Sequence, residues 1–316
     1  MAIGFLSGQD YLALPHARTP WVIEHLVQAE GLTNIFGKPK AGKSFAAMGM
    51  AAAVASGKSE WLGFPVHVHG PVAVLQVDTP RSQWGARYRD MESAGLDLTN
   101  VWTADQDLIP GYPFNILDPN MHAWLKAEMA KIKPVMVIID TLREVHGLDE
   151  NESTAMRNVL TGLIGACRPA ALVLLSHARK DGDAAKAGAE DMMSDNRGSS
   201  YIPGKMDVII RMTTDGEKAT GLLYKGRSAG QGKLKLDQDP ATGLITLDAA
   251  EAAYWRVVQE VVLEMQANDP KVSLRKMAGE VVLRSKGYKQ QRTAQDNVNA
   301  FLSTKGVPQA GFTQAA

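Results

Sequence analysis

The chain has 316 residues, enough for one large α/β domain and a smaller one. Lys and Arg number 34 against 34 Asp and Glu, so no overall field marks the chain for nucleic acid or a membrane, and either partner would have to be met by local patches. The single cysteine, Cys167, excludes an internal disulfide and a multi-cysteine metal site, and no stretch offers the roughly 18 apolar residues that span a bilayer, so a soluble cytoplasmic protein without a membrane partner is expected.

Residues 1–20 carry Pro15 and Pro20 with little periodicity and predict an irregular lead-in. Leu32-Thr33-Asn34-Ile35-Phe36 is short and apolar and predicts a buried strand. It runs into Gly37-Lys38-Pro39-Lys40-Ala41-Gly42-Lys43-Ser44, the G-x-x-x-x-G-K-[ST] spacing of a phosphate-binding loop, and Ser44 to Ala55, beginning Ser44-Phe45, predicts the helix that such a loop feeds. Backbone N–H groups of a glycine-rich turn at a helix N-terminus suit phosphates. Gly37 to Phe45 are therefore the candidate ATP-binding residues, with Lys43 on the outer phosphates and Ser44 on Mg²⁺.

Downstream, Val72 to Val77 predicts a second buried strand ending in Asp78, followed by a helix over 82–94, a short strand at Val101-Trp102 and a helix over 121–132 stopped near Pro134. His67 and His69 alternate on a predicted strand and read as a solvated face. Val135-Met136-Val137-Ile138-Ile139-Asp140 is continuous apolar sequence closed by an acid, the form of a Walker B strand whose Asp140 faces the phosphate loop and holds Mg²⁺. After a polar loop over 142–153 and a helix over 154–166, Ala171 to Leu175 predicts another buried strand. Beyond its end His177 is the candidate sensor of the γ-phosphate, the alternative being a satisfied surface histidine. Residues 181–200 have no hydrophobic period, and a long segment of that kind inside a domain is usually functional or disordered. Strands are predicted over 206–212, 221–224 and 244–247, the second leading into Lys225-Gly226-Arg227.

From Glu251 onward three helical faces follow one another: Tyr254, Val258, Val261, Val262 and Met265; then Leu274, Met277, Ala278, Val281 and Val282; then Ala294, Val298, Phe301 and Leu302. Ser273 and Thr293 are predicted N-caps, Thr293 in a capping box with Asp296, and Gly287 and Gly306 predicted stops. The expected organisation is thus an ATPase domain over 1–250 and a helix-turn-helix or winged-helix module over 251–316, with nine basic against six acidic residues and a partner that is either DNA or protein.

Taken together, Gly37 to Ser44, Val137 to Arg143 with Asp149-Glu150-Asn151, Ser176-His177-Ala178-Arg179-Lys180, and Arg197-Gly198-Ser199-Ser200 leading to Asp207 resemble the RepA-type ATPases, plasmid and phage members of the RecA/DnaB superfamily of P-loop NTPases. The likeness spans about residues 20–248. It implies a RecA-like α/β core with a mostly parallel sheet, assembly into a hexameric ring or a filament, and ATP bound between subunits. It also implies single-stranded DNA on loops over 142–153 and 181–200, where Arg179, Lys180 and Arg197 are the candidate contacts. Lys225-x-Arg227 resembles the K-x-R pair that acts on a neighbour's nucleotide, although the residues alone read as a surface arginine. Relatives commonly end the second strand in a glutamate that polarises the attacking water. Here Gln76-Val77-Asp78 stands in that place, leaving Asp78 as the substitute or Glu152 on the later loop. The catalytic set is then Lys43, Asp78, Asp140, His177 and Arg227, in an ATP-driven helicase of DNA replication. A recombination or annealing factor that uses ATP as a switch, and a DNA-binding regulator, are the alternatives.

Overall fold

The apolar run before the glycine-rich loop is central because it is buried on every side. A computed structural model of the chain describes residues 5–13, 20–178, 198–227 and 230–303. In chain order, a one-turn helix α1 (Gly8–Leu12) precedes a small hairpin, β1 (Trp21–Ile23) and β2 (Val27–Gln28), and then β3 (Leu32–Gly37), buried at all six positions. Helix α2 (Lys43–Ala55), a second hairpin β4 (Glu60–Trp61) and β5 (Phe64–Pro65), strand β6 (Val72–Gln76), helix α3 (Arg81–Ser93) and strand β7 (Val101–Asp105) follow. Next come α4 (Pro119–Ile132), β8 (Met136–Asp140), a 3-10 turn over Leu142–Val145, α5 (Ser153–Cys167) and β9 (Ala171–His177). A short α6 (Tyr201–Lys205) leads into β10 (Val208–Thr214), β11 (Ala219–Gly226), β12 (Gly230–Gln238) and β13 (Ile245–Leu247). Helices α7 (Ala249–Asn268), α8 (Leu274–Arg284) and α9 (Gln291–Ser303) come after the last strand.

Nine strands form one sheet in the order β13-β12-β11-β10-β3-β9-β8-β6-β7. The six from β10 to β7 are parallel to one another, whereas β11, β12 and β13 are added antiparallel at the other edge. This is the mostly parallel sheet that the sequence predicts, and β9 sits between the strand that carries the loop and the strand that ends in Asp140. Alternation along β8 divides the core between two faces: Met136 and Ile138 join one cluster with Ile35, Met48, Met50 and Val173, while Val137 and Ile139 join another with Phe36, Leu125, Met156, Leu163 and Leu172. A strand covered on both faces needs the unbroken apolar run that it has. Truncating one such side chain to Ala costs about 2–5 kcal/mol. Helix α2 also lies close to the β4–β5 hairpin, where a Cβ on Gly49 would meet the Trp61 indole nitrogen at 2.7 Å. Among the described residues no helix is long and apolar enough to cross a membrane.

Helices α7, α8 and α9 enclose a core of their own, made by Tyr254, Val258, Val261, Met277, Val281, Ala294, Val298 and Phe301. Asp248 caps α7 by accepting from the N–H groups of Ala250 and Glu251, and Ser273 caps α8 by accepting from Lys276. The helical unit meets the sheet through Trp255, which packs against both cores, and through Lys235 of β12, whose ammonium lies 5.1 Å from the centre of the Tyr288 ring.

Several local expectations change. The lead-in contains α1, and β12 is a full strand in a stretch where none is predicted. Residues 67–69 are not a strand: His67 Nε2 lies 2.6 Å from Glu24 Oε2, so the ring is paired and only part-exposed. Leu142 and Val145 are buried, which fixes the first part of the predicted polar loop in the core. Thr293 lies inside α9 rather than at its cap. Gly306 lies outside the described residues.

Candidate functional site

Registers place the candidate side chains on one line. Gly37 at the end of β3 is paired with His177 at the end of β9, and Gln76 at the end of β6 with Asp140 at the end of β8. All four therefore reach the carboxyl edge of the parallel sheet, where ligands of open α/β sheets bind. The loop leaves β3 at Gly37, where a Cβ would stand 2.6 Å from the Met212 carbonyl oxygen, and enters α2 at Gly42, whose φ of 76° is the left-handed region. A Cβ on Gly42 would meet that of Ala219 at 2.8 Å, so close approach demands glycine at both positions, and conformation demands it again at Gly42.

Lys43 is buried, and its ammonium donates to the carbonyls of Gly37 and Lys38, both at 3.1 Å. Burial holds its pKa below the ordinary lysine value, while Asp140 and Asp78 pull the other way. Ser44 and Asp140 line the same cleft, and the Ser44 hydroxyl favours the ionised Asp140 carboxylate. Asp140 is itself buried, and burial pushes its pKa up to about 6; the Ser44 hydroxyl opposes this, Asp78 adds to it, and Lys43 and Arg87 oppose it. Two buried charges of opposite sign thus face each other across the loop, each drawn toward neutrality.

These residues line a cleft of about 350 Å³ formed by Pro39 to Phe45, Asp78, Asp140 and His177. Asp78 is exposed, on a turn that Gln76 braces: the buried Gln76 Oε1 accepts from the N–H groups of Asp78 and Thr79 at 2.7 and 3.1 Å, and its Nε2 lies 3.4 Å from Asp140 Oδ2. Glu152 precedes α5 and does not line the cleft. Phe45 packs against Gly243 in the β12–β13 turn, and the Arg87 guanidinium stands 5.5 Å from the centre of its ring.

Arg87, Gln238 and Glu217 also line the cleft, and sequence reasoning does not single them out. Nothing separates Arg87 from Arg81 and Arg89 on α3 except the face it takes, and Gln238 becomes visible only once β12 is known. Gln238 accepts from the Ala219 N–H at 2.9 Å and donates to the Gly243 carbonyl at 3.3 Å, holding the antiparallel strands against the loop.

Lys225 and Arg227 are elsewhere. Strand β10 runs parallel to β3 and β11 runs back, pairing Lys225 with Ile209 and Gly226 with Val208 at the amino edge of the sheet. There the Arg227 N–H donates to the Asp207 carbonyl at 3.0 Å and its guanidinium to the Gly204 carbonyl, while Asp207 Oδ2 accepts from the Leu32 N–H at 2.8 Å. At about 3.3 Å per residue, the six residues of β3 put Arg227 roughly 20 Å from its own loop. Arg179, Lys180 and Arg197 lie outside the described residues.

Ser44 and Asp140 offer a hydroxyl and a carboxylate to the cleft, hard oxygen ligands of the kind Mg²⁺ takes alongside phosphates. Among the described residues there is no group of three or more His, Cys, Asp and Glu that would suit a softer metal.

A family model described as an AAA domain matches residues 5–183. Among solved structures the fold is similar to one described as an ATPase domain, with TM-score 0.50 and 15% identity, covering 70% of this chain and 85% of that one. It is also similar to a DnaB-like replicative helicase described with its interactions with primase, with TM-score 0.52 and 14% identity, covering 75% of this chain and 65% of the helicase. At such identities the likeness is one of fold.

Proposed function

The chain belongs to the AAA domain family, and from that premise we propose that it is an ATP-hydrolysing motor of helicase type that acts on DNA in replication. The observation that carries this reading is the convergence of Lys43, Ser44 and Asp140 on one cleft at the carboxyl edge of the sheet. Likeness of fold to a DnaB-like replicative helicase supports the DNA-directed part.

The chemistry is phosphoryl transfer to water, which asks mainly for positioning and for neutralisation of charge. Loop N–H groups and Lys43 take the phosphates, and Ser44 and Asp140 hold Mg²⁺, which when bound neutralises charge on the outer phosphates. Phe45 and Arg87 form the flank of the cleft, Arg87 adding positive charge beside it. Asp78 orients the attacking water and accepts its proton, held in place by Gln76. His177 reports occupancy of the cleft to the segment after β9, where Arg179 and Lys180, with Arg197, meet a single strand of DNA. Arg227, with Lys225 beside it, serves a neighbouring copy's nucleotide in a ring or filament. The helical unit from residue 251 acts as a separate module.

A second reading, ATP as a conformational switch in a recombination or annealing factor, draws on the absence of a glutamate among the residues at the end of β6: Gln76 is consumed in bracing a turn, and Asp78 is shorter by one methylene. Phosphate release with and without single-stranded DNA, followed by strand separation of a forked duplex, tests both. Strong stimulation with unwinding is the expected result. Annealing without unwinding would replace the motor with the switch, and failure to bind ATP under any condition would overturn both.

A further inference from the structure

Charge within the C-terminal helices is unevenly shared. Helix α7 carries Glu251, Glu260 and Glu264 against Arg256 alone, whereas residues 271–303 hold seven basic residues against Glu280 and Asp296. Of the seven, Arg284 is committed to Glu264 and Glu280, at 2.6 and 2.7 Å, and Lys289 to the buried Glu251. Lys271, Arg275, Lys276 and Lys286 are exposed and form no ion pair among the described residues.

Of these cations Lys286 lies at the bend between two packed helices, whereas Arg275 and Lys276 stand in the first turn of α8 and Lys271 just before it. Helix α8 ends at Arg284; Lys286 and Gly287 both take positive φ, 52° and 72°, and the Gly287 N–H returns to the Val282 carbonyl at 2.9 Å. Six residues, Ser285 to Gln290, then separate α8 from α9, whose first turn in sequence is Gln291-Arg292-Thr293. Two helices joined by a glycine-containing bend, with lysines at the bend and polar residues opening the second helix, have the plan of a helix-turn-helix that lays its second helix in a major groove. Aromatic residues argue against a single strand here. Binding of single strands uses exposed rings on which bases stack, and Tyr254 and Phe301 are buried, while Trp255 and Tyr288 are half-buried in the module's own contacts.

We infer that α8, the bend and α9 form a docking surface for duplex DNA, with Lys271, Arg275, Lys276 and Lys286 on the phosphates and α9 directed at the groove. This goes beyond the motor reading and does not use the nucleotide cleft, so it stands or falls separately.

The test is fluorescence anisotropy of the full chain without nucleotide, on a labelled duplex of about 20 base pairs, two helical turns, and on the corresponding single strand, over a series of salt concentrations. The triple variant Arg275→Gln/Lys276→Gln/Lys286→Gln changes only exposed side chains. Its duplex affinity should drop and the slope of log K against log salt should lose about 2 to 3, close to one per phosphate contact. Single-strand affinity and basal ATP turnover should stay as they were. Arg284→Gln is the control for charge alone, because its cation is already satisfied by two glutamates, and should leave the duplex slope unchanged. An unchanged slope in the triple variant, an equal loss on the single strand, or an equal loss from Arg284→Gln would each overturn the inference.

Discussion

Gly243 lies flat against the ring of Phe45: a Cβ on Gly243 would stand 2.0 Å from the ring's Cε1. Gly243→Ala therefore has to displace the ring that flanks the cleft, and does so at a residue whose φ of 73° already disfavours a side chain. Overpacking of this kind costs about 1–3 kcal/mol. The expected result is a lower melting temperature together with ATP affinity reduced about tenfold, equivalent to about 1.4 kcal/mol. Titration with a fluorescent ATP analogue reads it, and an unchanged affinity would remove Phe45 from the site.

Asp140 should trade stability for activity. Its carboxyl has an ordinary value of 3.8 and is raised by burial to about 6 in the folded chain. A raised acid favours the neutral form on folding, so its stabilising share is complete below the unfolded value and disappears as pH climbs through 6. Above both values the buried charge costs roughly 3 kcal/mol. Asp140→Asn should thus melt about 5 °C higher at pH 8, with the gap narrowing as pH falls below 6 and closing only below the unfolded value of 3.8, while ATP turnover is lost. Thermal melts at pH 8 and pH 5 without nucleotide, paired with a phosphate-release assay, decide it; a variant less stable at pH 8 would contradict the burial argument.

Asp78 distinguishes a slow catalyst from a switch. Asp78→Asn removes the proton acceptor and should slow hydrolysis by about 10²–10⁴ with ATP affinity retained. Asp78→Glu, which restores the missing methylene, should equal or exceed the parent rate. Full activity of Asp78→Asn would transfer the role to another carboxylate, Glu152 being the one to replace next.

Arg227 is best tested by mixing. Arg227→Ala should bind ATP and hydrolyse it poorly, since such a cation contributes about 10³–10⁵ in rate where it acts across an interface. Lys43→Ala should be inactive for a different reason. Combining the two lets an intact loop meet an intact arginine, and partial recovery is expected. No recovery, with assembly verified by light scattering, would confine Arg227 to its bond with the Gly204 carbonyl.

Much of this architecture is legible in the sequence, because the strongest signals are local. The apolar runs of β3, β6, β8 and β9 are unbroken since both of their faces are covered, and glycine is required at Gly37 and Gly42, where an added Cβ would stand 2.6 Å from the Met212 carbonyl oxygen and 2.8 Å from the Ala219 Cβ. What escapes the sequence depends on long-range packing. Strand β12 alternates Lys233, Leu234, Lys235 and Leu236 after a glycine-rich start, and it is held as a strand by pairing with β11 on one side and β13 on the other. Arg87 and Gln238 reach the cleft from elements whose facing is set by the assembled sheet, and Gln76 is diverted into a brace by the turn that follows it. His67 finds Glu24 across a separation that no local pattern encodes.

The distance between Arg227 and the loop of its own chain turns protein concentration into a control variable. Within one chain the guanidinium is anchored at the amino edge of the sheet, a strand's length from Lys43 at the carboxyl edge. A dilute solution of separate chains would hold ATP yet leave it largely intact, and specific activity would climb with enzyme concentration until every cleft has a neighbour. Hydrolysis would then be rationed by encounter between copies, so that fuel is spent only where enough of them have gathered.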